Sequence, residues 1–348
     1  MMNFIVYKLT FPYGIHIGGS KPNAYDTSET FIRSDTLYAA MTSVLAEVEG
    51  VTKDYIPEFT ISSLFPYYTH NNKTSYFFPR PRFRLPFIFS RELIDYRKKI
   101  KSISWIDHLH FEKIINGTSF EISEIESSLK GSFLTTGEIP GNSIIEKNIR
   151  DRVVVPRDVS NINQPNPFVF EVLQFKGGSG LYFLVSGDSE RRISKALSIL
   201  QNRGLGTDRN LGLGHFEFET EELNIKVPHN SQIGITLGLI LPDKPDTWSE
   251  WTKEISMKSG KRFKPGYSLI KRGGWITSER ASHFRKGSVF MLEEGSVLNI
   301  KDSYNKEPIV LGNSNISLRP KSIDWVDLPP VLRCGKSIVI PTKLPGNV

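Results

Sequence analysis

Residues 204–214 read Gly-Leu-Gly-Thr-Asp-Arg-Asn-Leu-Gly-Leu-Gly, two Gly-x-Gly pairs with five residues between them. Glycine at 204, 206, 212 and 214 permits positive φ and the close approach of another backbone. Exposed amides in such a loop, with Arg203 and Arg209 beside them, could cradle a phosphate. The same loop also reads as a tightly packed connection between a helix and a strand. A Rossmann loop follows a strand and opens a helix; here the order is reversed. A Walker loop ending at Gly335-Lys336-Ser337 needs its first glycine where Pro330 stands. Ser179, in Gly177-Gly-Ser-Gly-Leu181, lacks the second glycine of a nucleophile elbow. His108 and His110 flank no second ligand pair and read as a surface loop rather than a metal site. His16 stands between a strand and Gly18-Gly19. There it could serve as a general base toward a phosphodiester, as an RNA contact, or as a packed histidine.

Charge adds a second signal. The chain of 348 residues carries a formal net charge of +7. Residues 258–286 hold nine basic side chains against one acid, Glu279, a net of +8 that leaves −1 for the rest. Such concentration points to a polyanion, or to a solvated basic loop with no partner. Arg80, Arg82 and Arg84 interleave with Phe78 and Phe83, and Tyr267 and Trp275 bracket Lys271-Arg272. Cations alternating with flat rings suit single-stranded RNA. The single cysteine, Cys334, excludes an intrachain disulfide and a cysteine zinc cage, which fits a reducing cytosol. The first residues lack a basic leader and no apolar run approaches 18 residues, so neither a signal peptide nor a membrane span is expected.

The elements that must position these residues follow from periodicity. Asn3–Pro12 alternates, with Ile5, Tyr7, Leu9 and Phe11 on one face, and predicts a strand. From Ser34, apolar residues at 37, 41, 44, 45 and 48 predict a helix with Ser34 as cap, Asp35 in its first turn and Gly50 near its end. Prolines at 79, 81 and 86 leave room only for short strands or extended loop. Residues 119–149 predict a helix or strand followed by an exposed hairpin or arm. Residues 167–175 and 180–186 read as a hairpin across Gly177, Gly178 and Gly180. Residues 189–203 read as a helix, and His215–Leu223 and Ile233–Leu241 as strands. The pattern predicts an α+β chain in two halves, with a boundary near residues 155–167.

Together these stretches resemble the RAMP superfamily of CRISPR proteins. Four carry the likeness: Gly14-Ile-His-Ile-Gly-Gly19, Glu29-Thr-Phe-Ile-Arg-Ser-Asp-Thr-Leu37, the glycine loop, and Tyr267-Ser-Leu-Ile-Lys-Arg-Gly-Gly-Trp275 followed by Gly287-Ser-Val and Glu294-Gly-Ser-Val. The glycine loop resembles the superfamily at large, whereas the paired Arg33-Ser-Asp-Thr-Leu37 and Lys271-Arg-Gly-Gly274 elements resemble the subunit that caps the five-prime end of the guide in type III-A (Csm) effector complexes. That resemblance implies two tandem ferredoxin-like (RRM-type) βαββαβ domains, at 1–160 with an arm near 137–160, and at 161–348. It implies a cytoplasmic, non-catalytic scaffold without cofactor or metal. Its partners would be the five-prime tag of the crRNA, the large polymerase-like subunit and the adjacent backbone RAMP subunit, with no membrane. The expected RNA contacts are His16, Gly18, Gly19, Arg33, Ser34, the arm residues Lys147, Arg150, Arg152 and Arg157, the loop residues Arg203, Gly204, Gly206, Arg209, Gly212 and Gly214, and Lys271, Arg272, Gly273 and Gly274. No basic-aromatic run marks a central strand, so loops rather than a sheet face are expected to meet RNA. The alternative is a metal-independent endoribonuclease processing precursor guide with His16 as acid or base; a third reading is a basic protein-binding module.

Overall fold

The computed structural model describes residues 1–19, 25–50, 58–88, 93–154, 166–187, 190–257, 260–276, 284–300, 309–320 and 331–344. In chain order these form β1 (Met2–Thr10), α1 (Ser34–Glu49), β2 (Thr60–Ile61), β3 (Phe65–His70), β4 (Lys73–Pro79), α2 (Leu93–Ser102), β5 (Trp105–Asp107), α3 (His108–Ile115), α4 (Ile122–Ser128), β6 (Leu129–Lys130) and β7 (Phe133–Leu134). There follow β8 (Ile145–Val154), β9 (Asn166–Phe175), β10 (Ser179–Ser186), α5 (Glu190–Arg203), β11 (Glu217–Ile225), β12 (Ile233–Thr236), α6 (Pro245–Thr252), β13 (Ile255–Ser256), β14 (Arg262–Phe263), β15 (Leu269–Arg272), β16 (Val289–Leu292), β17 (Val297–Asn299), β18 (Ile309–Ser317) and β19 (Leu332–Thr342).

The main sheet has nine strands in the order β11-β1-β10-β3-β4-β5-β7-β6, with β2 paired to β10. β1 lies inside it and is buried on both faces. Tyr7, Leu9 and Phe11 pack with Leu37, Met41 and Leu45 of α1 and with Ile193, Leu197 and Leu200 of α5. Phe4 and Val6 enter the opposite core with Phe65, Phe78 and Tyr182. A strand covered on both sides needs apolar residues at every position, which is why its alternation is only partial. β1, α1, β3, β10, α5 and β11 run β-α-β-β-α-β, and their strands lie in the spatial order fourth, first, third, second. Everything from β4 to β9 is inserted between the second and third of those strands.

The turn from β3 to β4 uses Asn71 and Asn72, both at positive φ (48° and 59°). Asparagine tolerates that region, and two such residues make the tight hairpin turn that strand twist favours. β8 and β9 pair along their whole length, from Ile145 opposite Phe175 to Val154 opposite Asn166. They form a separate two-stranded ribbon, the arm, whose first strand lies in the stretch near 137–160. Residues 167–175 therefore pair backward with β8, not forward with β10 as the glycine signal suggested; β10 instead pairs β1, β2 and β3. The turn at Gly178 (φ 81°) redirects the chain from arm to sheet.

A second sheet, in the order β17-β12-β19-β18, follows after β11, with two further hairpins, β13–β14 and β15–β16. The expected division at 160/161 does not coincide with the change of sheet: it falls between the two strands of the arm, and β10 and β11 lie beside β1. Among the described residues one helix, α6, accompanies the second sheet, whereas a βαββαβ unit has two. The architecture is mixed α+β. No helix of the described residues is long and apolar enough to cross a membrane.

Candidate nucleic-acid interface

The seam between the two sheets is an ionic one. Arg33 is the N-cap residue of α1 and makes no side-chain cap bond. Its Nη1 donates to Glu294 Oε2 at 2.6 Å and its Nη2 to Glu293 Oε1 at 3.3 Å. Ser34 is not the expected cap: its N–H donates to Ser63 Oγ (2.8 Å) and its hydroxyl accepts from the Leu239 amide (3.0 Å). The buried carboxylate of Asp35 accepts from Arg272 Nε and Nη2, each at 3.0 Å, and from Arg333 Nη1. Arg272 also donates to Thr36 Oγ1 (2.9 Å). Burial pushes the pKa of Arg272 and Arg333 down from the ordinary guanidinium value. A buried charge needs a counter-charge and hydrogen bonds, and these groups supply both. Arg33, Ser34 and Arg272, expected on RNA, thus sit in a network that ties the start of α1 to residues 63, 239, 293 and 294 and to Asp35.

The glycine loop is also largely self-engaged. The amides of Gly204, Leu205, Thr207, Gly212 and Gly214 donate to the carbonyls of Leu200, Gly214, His16, Arg209 and Gly14. A Cβ on Gly206 would collide with the His16 carbonyl oxygen, and one on Gly214 with that of Leu205. The expected run of free amides is thus mostly used, by the loop and the end of α5 as well as by residues 14–16. Gly212 differs, with open space where a Cβ would sit. His16 is 1% exposed. Its Nδ1 lies 2.6 Å from the Glu171 carbonyl oxygen, and its ring stands 4.5 Å from that of Phe170. The ring thus packs against the arm strand that carries Phe170 and Glu171. Arg203 pairs with Glu47 at 2.7 Å on the surface, while Arg209 is exposed at the tip. Gly18 and Gly19 are exposed.

The arm joins the same assembly. Arg152 pairs with Asp208, and its guanidinium lies 4.0 Å from the Phe170 ring centroid. Phe170 and Val172 pack on Leu213. Lys147 Nζ meets Glu171 Oε1 at 3.0 Å. Arg150 is exposed and makes no ion pair among the described residues. Ile149 (67% exposed) and Val153 (52%) project from the other face of the ribbon. Arg157 lies outside the described residues.

The β15–β16 hairpin presents cation and rings together. Strand alternation turns Arg272 inward and Lys271 outward. Lys271 stands opposite Phe290, which is 58% exposed. Just beyond, the Arg285 guanidinium lies 4.7 Å from the ring centroid of exposed Trp275, a cation–π stack. Gly273 and Gly274 are exposed between them; the Gly273 carbonyl accepts from Arg333 and that of Gly274 from the Lys286 amide. Burial, then the charge of Arg272, lowers the Lys286 pKa. Phe290 and Arg285 were not singled out from sequence. Their signal is the hairpin register, which sequence spacing alone does not give.

Other sequence candidates fall away. Phe78 stacks on Phe111 in the core, with centroids 4.4 Å apart. Ser179 is buried and donates to the Lys176 carbonyl at 2.6 Å. His110, expected in a surface loop, is buried on α3 with Nδ1 2.8 Å from Asp107 Oδ1. Among the described residues no group of His, Cys, Asp and Glu is placed to hold a metal.

Against known proteins, residues 230–304 match the CRISPR Csm4 C-terminal domain. The chain is similar to the CRISPR system protein Csm4 of Thermococcus onnurineus (strain NA1), 27% identical over 302 residues, spanning 81% of this chain and 86% of that protein. It is 25% identical over 226 residues to Csm4 of Methanocaldococcus jannaschii, covering 59% of this chain and 55% of that one. Its fold is similar to a chain of the Csm3–Csm4 subcomplex of a type III-A CRISPR-Cas interference complex. That match has a TM-score of 0.56 at 18% identity and covers 99% of this chain and 100% of that one. A chain of a Csm1–Csm4 cassette in complex with pppApA gives a TM-score of 0.55 at 19% identity, over 99% and 100% of the two chains.

Proposed function

We propose that this chain, a Csm4-like member of the RAMP superfamily, is a non-catalytic scaffold subunit of a cytoplasmic type III-A CRISPR effector complex. It holds the five-prime, repeat-derived tag of the crRNA in antiviral defence. It docks the large polymerase-like subunit on one flank and the adjacent backbone RAMP subunit on the other. The similar solved structures are of Csm4 with Csm1 and of Csm4 with Csm3, which supports giving this chain the same two neighbours. A two-domain ferredoxin-like plan is part of the proposal. The β-α-β-β-α-β order of the main sheet supports its first half.

One observation carries the RNA assignment. The β15–β16 hairpin sets Lys271 opposite Phe290, and just beyond its strands Arg285 stacks on Trp275, within the segment that carries the family match. Phosphates take the cations and bases take the rings, without a sequence-specific donor set. Burial of His16 speaks for holding over cutting, since a general base must reach the proton it removes. The test is to purify the complex through a tag on this chain after co-expression with the large subunit, the backbone subunit and guide RNA. Photocrosslinks from the tag nucleotides to the β15–β16 hairpin or the arm are expected. Crosslinks confined to the other subunits would overturn the assignment.

A further inference from the structure

We infer that the cleft between the β4–α2 connection and the turn at Glu293-Glu294 is a seat for unpaired nucleotides of single-stranded RNA. The inference rests on the RNA-scaffold reading and adds a second surface to it.

The cleft encloses about 980 Å³, within the range of small-ligand pockets. Five cations line it, Arg33, Arg80, Arg82, Arg84 and Lys101, against the two carboxylates Glu293 and Glu294. Those carboxylates are already occupied. Glu293 accepts from Arg33 and, at 2.6 Å, from Arg82; Glu294 accepts from Arg33 and from the Ser63 hydroxyl. Arg80 is spent on the Ile100 carbonyl at the end of α2 (2.6 Å). Arg84 and Lys101 are exposed and make no ion pair among the described residues. They are the groups left for phosphate.

Flat surface is present beside them. Tyr267 is 41% exposed and held edge-on by Trp248, with centroids 6.4 Å apart. Phe83 is half-buried. Arg33, in the lining, is taken up by Glu293 and Glu294. Tyr267 also leads directly into β15, so a strand seated in the cleft continues onto the face that carries Lys271.

The test measures anisotropy of a short fluorescent single-stranded oligoribonucleotide on the full chain. The variants are Arg84→Glu with Lys101→Glu, Tyr267→Ala, and Lys271→Glu, which lies outside the cleft. The charge pair is expected to weaken binding about tenfold at low salt. It should also flatten the log–log salt slope by roughly 0.7 for each phosphate no longer neutralised. Tyr267→Ala is expected to weaken binding about fivefold or more, as loss of one stacked base does. Cleft variants that bind like the unmodified chain, while Lys271→Glu binds weakly, would sink the cleft and leave the scaffold reading standing. No binding by the unmodified chain would sink the reading beneath it. Variants that keep RNA but lose capture of the large subunit would make the cleft a protein seat and overturn the inference. If a variant melts early, 4-thiouridine crosslinking to the unmodified chain decides: adducts at Tyr267 or Phe83 are expected, and their absence contradicts the cleft.

Discussion

Arg272 holds Asp35 through two donors, Nε and Nη2, each 3.0 Å from a carboxylate oxygen. The two residues are 237 positions apart, Asp35 in the first turn of α1 and Arg272 at the end of β15. Arg333 bonds the same carboxylate, so one buried anion answers two guanidinium groups. Asp35→Ala leaves both cations buried without it. Removal of one partner from such a pair costs about 3–5 kcal/mol. Urea denaturation should show a loss of that order. A loss below about 1 kcal/mol would mean that the seam is held by packing instead.

Lys271 and Arg272 are adjacent and chemically alike, yet they should behave oppositely. Lys271→Ala removes an exposed charge and should leave stability within about 0.5 kcal/mol. It should flatten the RNA salt slope by roughly 0.7. Arg272→Ala should lower the denaturation midpoint. Paired melts and salt titrations check both, and equal effects on RNA binding would contradict the alternation.

Two glycines of one loop give a third contrast. Gly206→Val meets the His16 carbonyl and places a β-branched residue at φ 85°. The variant should unfold or precipitate. Gly212→Ala meets open space at φ 87° and should cost about 1–2 kcal/mol from backbone conformation alone. Thermal melts separate them; similar losses would mean the collision is relieved by loop movement.

How much of this was readable beforehand depends on which interactions are local. The strand at β1 and the helices α1 and α5 were legible because a buried face leaves its period in the sequence. The arm was legible only as a basic, turn-rich stretch. The pairing of β9 with β8 was not, because Gly177, Gly178 and Gly180 signal a turn without saying which partner follows. Arg33 and Asp35 look like surface charges until their partners beyond residue 270 are placed beside them. Lys271 and Arg272 could have been told apart from strand alternation, had the strand been assigned. The Gly-x-Gly pairs announced close backbone approach, and the backbone approached is His16 at Gly206 and the loop's own Leu205 at Gly214.

A pH-dependence follows from Asp107. Burial opposes its ionisation, but the hydrogen bond and charge of His110, with the His110 amide and Thr135, outweigh it and hold its pKa below the ordinary value. It caps α3, accepting from the His110 amide at 2.8 Å. A carboxyl with a lowered folded pKa contributes stability that is present above the unfolded value, near about 3.9. That stability is lost as pH falls through the folded value. Asp107→Asn should remove this part of the acid sensitivity and cost about 1–2 kcal/mol at neutral pH, in the range of a lost cap. An unchanged slope of stability against pH below 5, roughly where carboxylates begin to protonate, would contradict the assignment.

Holding single-stranded guide RNA and leaving it whole is the role proposed for this chain. The direct measurement incubates purified chain with end-labelled tag RNA in EDTA and follows retention and length together across a salt series. Salt-sensitive retention of full-length RNA, unchanged in length over the incubation, is expected. Shortened RNA, with the shortening lost in His16→Ala, or no retention at low salt, would contradict it.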